Sequence, residues 1–182
     1  MTNPANPSPL DAELLAELGR MFDLARSGQA AELQSWLQKG LPANLTNDSG
    51  DTLLMLAAYH GQADTVGVLL DAGADPSRAN DRGQTPLQAA AFRGDLPLVR
   101  LMLGKGVEVN GAGPDGRTPL FLAAMFDRLE MLDLLLERGA DPSARDAAGF
   151  TPLDAARQMG AAGAVARLQS LHQQAPEAGS RG

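Results

Sequence analysis

Asn80-Asp81-Arg82-Gly83-Gln84-Thr85-Pro86-Leu87-Gln88-Ala89-Ala90-Ala91-Phe92-Arg93-Gly94-Asp95-Leu96-Pro97-Leu98-Val99-Arg100-Leu101-Met102-Leu103-Gly104-Lys105-Gly106-Val107-Glu108-Val109-Asn110 is the stretch on which the rest of the chain is a variation. Its Gly83-x-Thr85 step recurs as Gly50-x-Thr52, Gly116-x-Thr118 and Gly149-x-Thr151, with 33 residues between successive glycines. A second marker, Gly106-Val107-Glu108, keeps the same spacing of 33 from Gly73-Ala74-Asp75 and from Gly139-Ala140-Asp141, with a faded copy at Gly40-Leu41-Pro42. Two unrelated markers sharing one long period signal an array of structural repeats.

Within one repeat, Thr85-Pro86, Thr118-Pro119 and Thr151-Pro152 are suited to start a helix. The hydroxyl can cap a free backbone N–H, and the Pro ring fixes φ where a missing N–H costs nothing. Thr52 precedes Leu53 and keeps only the cap. The short helix that follows carries a small apolar face: Leu54, Leu56 and Ala57; Leu87, Ala89 and Ala90; Leu120, Leu122 and Ala123; Leu153, Ala155 and Ala156. It ends at Gly61, Gly94 and Gly160, where a residue without Cβ can turn through positive φ. Asp127 takes that place in the third copy, so a strained turn is expected, one that Asp127→Gly would relieve unless the carboxylate caps the helix near Leu129. A second helix carries Val66, Leu69 and Leu70, matched by Val99, Met102 and Leu103 and by Leu132, Leu135 and Leu136. Turn formers then lead to the next Thr in a hairpin-like loop.

Asp-x-x-Gly-x-Thr-Pro-Leu, Ala-Ala-x-x-Gly, Val-x-x-Leu-Leu and Gly-Ala-Asp together resemble the ankyrin repeat, in the form of a bacterial-type ankyrin repeat domain-containing protein. The resemblance covers residues 14 to 172. It implies an all-α ankyrin-repeat solenoid, helix-turn-helix plus hairpin-like loop, with degenerate terminal caps. The family's His after Thr-Pro-Leu is replaced by Met55, Gln88, Phe121 and Asp154, so the hydrogen bonds of that His do not carry over.

In chain order, residues 1–9 form an expected disordered leader, 10–46 an N-terminal capping repeat, and 47–79, 80–112 and 113–145 three regular repeats. Residues 146–172 form a C-terminal capping repeat and 173–182 a disordered tail. Shifting the register back by 33 sets Met21 on Leu54, Leu24 on Ala57, Leu33 on Val66 and Trp36 on Leu69. Trp36 is therefore expected to pack within the cap rather than serve as an exposed anchor.

An aromatic share of 4% suits thin layers cored by Leu and Ala. The net charge of −7 argues against non-specific nucleic-acid binding, which needs cations to neutralise phosphates. With no Cys, disulfides and thiolate metal sites are excluded. No apolar run has the length of a membrane span and the N-terminal residues lack a signal peptide's pattern, so a cytoplasmic monomer is expected.

Gly111-Ala112-Gly113-Pro114-Asp115-Gly116 spells a dinucleotide fingerprint, but that motif needs a preceding strand and a helix opening at its last glycine. It is taken as the repeat loop. The two histidines, His60 and His172, lie far apart, and no nucleophile, base and orienting group can be assembled. Neither catalytic residues, metal ligands nor a cofactor are expected.

The two columns before the inter-helix turn hold Tyr59 and His60, Phe92 and Arg93, Met125 and Phe126, then Gln158 and Met159. The resemblance places such positions, with the loop tips, on a concave face that contacts a protein partner. Tyr59, Phe92, Met125 and Phe126, rimmed by His60, Arg82, Arg93 and Arg117, then form an aromatic and Arg mixture of the kind enriched in binding hot spots. The competing reading folds these rings onto the next repeat as core, and would move binding to loop tips around Asp81, Arg82, Asp115 and Arg117. The function expected is a non-catalytic protein-interaction module. Its alternatives are a regulatory or stabilising subunit of a partner enzyme and, further off, an enzyme or small-ligand binder.

Overall fold

A computed structural model of the chain describes residues 9–174. They form α1 (Pro9–Ser27), α2 (Ala30–Gln38), α3 (Leu53–Tyr59), α4 (Ala63–Asp71), α5 (Pro86–Arg93), α6 (Leu96–Gly104), α7 (Pro119–Met125), α8 (Leu129–Glu137), α9 (Pro152–Met159) and α10 (Ala162–Gln174). Among the described residues the extended backbone amounts to one antiparallel bridge, Thr46 to Thr52. Odd-numbered helices pack in sequence into one layer, α1 on α3, α3 on α5, α5 on α7 and α7 on α9, and even-numbered helices stack likewise in a second. The result is an all-α solenoid.

Both ends differ slightly from expectation. Helix α1 starts at Pro9, inside the expected leader, because Pro is well suited to a first helical position. Helix α10 continues through Gln173 and Gln174, inside the expected tail, because Gln is a good helix former. The rest of the leader and of the tail lies outside the described residues.

Every Thr of the Gly-x-Thr step acts as a cap. The Oγ1 of Thr52, Thr85, Thr118 and Thr151 accepts the N–H of Met55, Gln88, Phe121 and Asp154 at 3.0, 3.4, 3.1 and 3.2 Å. In two copies the bond is reciprocal. Gln88 Oε1 accepts the Thr85 N–H at 2.7 Å, and Asp154 Oδ2 accepts both the N–H (3.0 Å) and the hydroxyl (2.7 Å) of Thr151. The Thr151 hydroxyl, then its N–H, hold the Asp154 carboxyl below the usual carboxylate range. Gln88 also donates from Nε2 to the Arg117 carbonyl, so the residue replacing the family's His ties one repeat to the next.

The loops repeat as faithfully as the helices. Asn47, Asn80 and Asp146 each accept the N–H groups two and four residues ahead through one side-chain oxygen, at 2.9 to 3.1 Å. The fourth member of this column is Gly113, where any Cβ would run into the Gly83 carbonyl oxygen. That close approach explains a glycine inside the false dinucleotide motif. Lower down, Asn44 and Asn110 accept the N–H of Asp75 and Asp141, at 2.7 and 2.9 Å. The carboxyls of Asp75 and Asp141 are held below the usual range by the hydroxyls, then the N–H groups, of Ser77 and Ser143. Such carboxylates help the fold above the ordinary Asp range, and the help is lost as pH falls through the lowered value.

Between the layers the core is continuous, from Met21 and Leu24 through Leu54, Leu69, Met102 and Leu135 to Leu168. One column position breaks its apolar character. Thr65 is fully buried where neighbouring repeats place Leu98, Met131 and Ala164, also buried, and its Oγ1 has no hydrogen-bond partner. An unsatisfied buried hydroxyl costs about 1 to 3 kcal/mol. Thr65→Val, equal in shape, should therefore raise the urea unfolding free energy by about 1 kcal/mol. A loss of stability would mean that the hydroxyl is bonded in solution.

Asp127 has φ of 53°, the one positive value among described residues other than glycine. Its carboxylate does not cap α8, whose first residues find no side-chain acceptor at Arg128. Instead Oδ1 accepts the N–H of Ala164 at 2.6 Å, in the first turn of α10, one repeat further on. Helix α10 is preceded by Ala161, whose side chain offers no acceptor, and Gly163 leaves room for the carboxylate. The expected gain from Asp127→Gly is thus reversed: relief of positive φ is worth at most about 1 kcal/mol, whereas a charge-assisted bond contributes about 1.5 to 3. Asp127→Gly should lower thermal stability by about 1 kcal/mol net and speed amide exchange at Ala164, with Asp127→Asn intermediate. Unchanged exchange at Ala164 would remove this role.

Candidate functional site

The first helices present their small faces to each other, and Ala57, Ala58, Ala90, Ala91 and Ala124 are fully buried there. With those interfaces filled by methyl groups, the bulkier residues just before each turn project away from them. Tyr59 is 44% exposed and Phe92 and Phe126 are each 41% exposed. Met125 is half-buried, and His60, Arg82, Arg93 and Arg117 are exposed. The core reading of the rings therefore does not hold. Phe150 and Met159, at 39% and 58% exposure, extend the apolar surface toward the C-terminal end. Met159 lies in the turn columns, whereas Phe150 is a loop residue, outside the helical periodicity that selected the others.

These residues fall into two groups. Tyr59 and His60 meet edge to face, ring centroids 5.4 Å apart at 76°. Together with Arg26, Asn80 and Arg82 they line a cavity of about 310 Å³ between α3 and the loops, floored by Met55 and Leu56. In the second group Phe92, in α5, and Phe126, directly after α7, form an edge-to-face pair with centroids 5.2 Å apart at 78°. Arg93 reaches back so that its guanidinium lies beside Gly61, next to His60, where Asp95 Oδ2 also lies.

Arg117 stands apart. Its guanidinium is 3.7 Å from carboxylate oxygens of both Asp115 and Asp146 and sits 5.6 Å from the Phe121 ring centroid. It is therefore largely committed to holding two loops together. Trp36 is half-buried, packed against the core, with the Lys39 ammonium 5.2 Å from its ring centroid. The same ring lines a separate apolar cavity of about 280 Å³ with Leu14, Leu18 and Met21. Leu14 and Leu15, in α1, are 60% and 59% exposed.

Among the described residues no three or more His, Asp or Glu side chains cluster so as to hold a metal ion. No helix there is long and apolar enough to cross a membrane. The family model for ankyrin repeats in three copies matches residues 21–112, 55–146 and 90–175, which together take in nearly all the described chain. The chain belongs to the ankyrin-repeat family. A Pseudomonas aeruginosa protein named as an ankyrin repeat protein is 53% identical over 66 residues, covering 36% of this chain and 38% of that relative. The chain thus spans well under half of the relative's length.

The geometry separates surface rings from core rings by measurement. Truncating a fully buried Phe costs about 3 to 5 kcal/mol, and an edge-to-face pair about 0.5 to 1.5 beyond its area. Phe92→Ala and Phe126→Ala should each cost about 1 kcal/mol in urea melts, and the double variant less than their sum, because the pair is lost once. Strict additivity would show that the rings do not touch in solution.

Proposed function

We propose that this ankyrin-repeat chain is a non-catalytic protein-interaction module whose partner docks on the face formed by the ends of the first helices and the adjoining loops. Ankyrin repeats are in general protein-interaction modules. The observation that carries the reading is the partial exposure of Tyr59, Phe92 and Phe126 at the ends of the first helices of three successive repeats, beside a fully buried face of small residues. Aromatic residues and Arg are over-represented among residues that dominate binding energy, and rigid rings lose little entropy when buried by a partner. His60, Arg82 and Arg93 supply polar contacts at the edge of the strip, Met125 an adaptable apolar one, and Arg117 the rigidity of the adjoining loops.

Affinity capture with the intact chain, beside Phe92→Ala and Phe126→Ala, tests this proposal. Truncating a hot-spot side chain removes about 2 kcal/mol of binding, close to thirtyfold in affinity. The captured partner should be lost from both variants while they remain folded. Folded variants that retain the partner at full occupancy would move the docking surface elsewhere.

A further inference from the structure

The cavity beside α3 gathers positive charge on a protein whose net charge is −7. Its walls carry two arginines, Arg26 and Arg82, against one carboxylate, Asp51. That carboxylate is already engaged, its Oδ1 accepting from the Asn80 amide at 2.7 Å. Arg26 is paired with Asp23 at 2.7 Å. No described carboxylate stands at ion-pair distance from the Arg82 guanidinium, a state it shares with Arg93, Arg100 and Arg138 among others, but of the unpaired arginines it is the one that lines this cavity. The floor beneath it is apolar, Met55 and Leu56, and one wall is the Tyr59–His60 ring pair.

We infer that this cavity receives an Asp or Glu side chain from an extended segment of the partner protein, with apolar residues of the same segment lying along Phe92 and Phe126. This inference rests on the docking face proposed above and adds the chemistry of what docks there. A guanidinium without an internal partner binds a carboxylate through charge-assisted, often bidentate hydrogen bonds. Arg93 has its guanidinium beside Gly61, where Asp95 Oδ2 also lies, so the positive charge free to meet a partner is that of Arg82 in the cavity. The cationic cavity beside α3 and the apolar Phe92–Phe126 pair belong to successive repeats, and a segment with an acidic residue near apolar ones matches that pairing. Complementary charge of this kind sets register and selects among partners.

The test is selection of short random peptides displayed on phage against the full chain, followed by synthesis of the enriched sequences and measurement of their affinity. Enrichment of Asp or Glu next to Leu, Phe or Trp is expected. Arg82→Gln should weaken these peptides about tenfold and Arg82→Glu further, with unchanged melting because that guanidinium makes no internal bond. Affinity should also fall as salt is raised. Enriched peptides that lack acidic residues, or that bind Arg82→Gln as tightly as the parent chain, overturn the inference. If those peptides are nevertheless lost on Phe92→Ala and Phe126→Ala, the docking face stands and only its acidic selectivity falls. Peptides indifferent to all these changes, or no enrichment at all, overturn both. A peptide that binds only when phosphoserine replaces its acidic residue assigns the cavity to phosphorylated partners and overturns the carboxylate reading.

Discussion

The spacing between neighbouring first helices is the constraint on which the rest of this molecule depends. Ala57, Ala58, Ala90, Ala91, Ala123 and Ala124 fill the interfaces between α3, α5 and α7 with almost no surface left to solvent. Methyl groups at these positions let the backbones approach closely, and inserting extra methylenes into such packing costs about 1 to 3 kcal/mol per site. That approach also decides whether the loops can reach each other. The Asp81 N–H donates to Ser49 O at 3.1 Å, and the Ala147 N–H to Asp115 O at 2.8 Å, bonds that a wider spacing would break. Each repeat buries its faces only against its neighbours, so a local change in spacing propagates along the stack.

The same constraint shapes the surface. Small residues already close the interface, so the rings at the helix ends have no interior place and stand at the edge of the loop layer. The outer helices are fastened differently, by ion pairs between successive repeats: Lys105 to Asp71 and Arg167 to Asp133, each at 2.6 Å. These are exposed and add little stability singly. Arg117 is likewise occupied between Asp115 and Asp146, which leaves Arg82 as the cation of the loop layer turned to the cavity without a carboxylate of its own.

Much of this fold is legible in the residues because its determinants are local and periodic. Thr hydroxyls three residues from the N–H groups they cap, glycines at positive φ and apolar columns all lie within one repeat, and the period of 33 multiplies each signal. Contacts between repeats are harder to read. Gln88 looks like the loss of a family hydrogen bond until its amide is found on the Arg117 carbonyl. Asp127 invites a purely local account, yet its acceptor role lies one repeat away. The unpartnered hydroxyl of Thr65 and the exposure of Phe150 leave no sequence pattern, since each depends on which atoms surround it. For the candidate site, the columns name the residues at the helix ends, but only three dimensions divide Arg82, facing a cavity, from Arg117, held between loops.

The bond from Ala164 to Asp127 gives the array a direction. Helix α10 has no cap of its own and takes its acceptor from a residue 37 positions earlier. Opening of the α7–α8 pair withdraws that acceptor and loosens α10, and fraying of α10 in turn uncovers part of α8, but among the described residues α10 is packed from one side of the stack alone. Local opening is therefore easiest at the C-terminal pair and climbs toward the middle of the stack. During synthesis, which delivers the chain from its N-terminus, the acceptor is in place before the helix that needs it has been made.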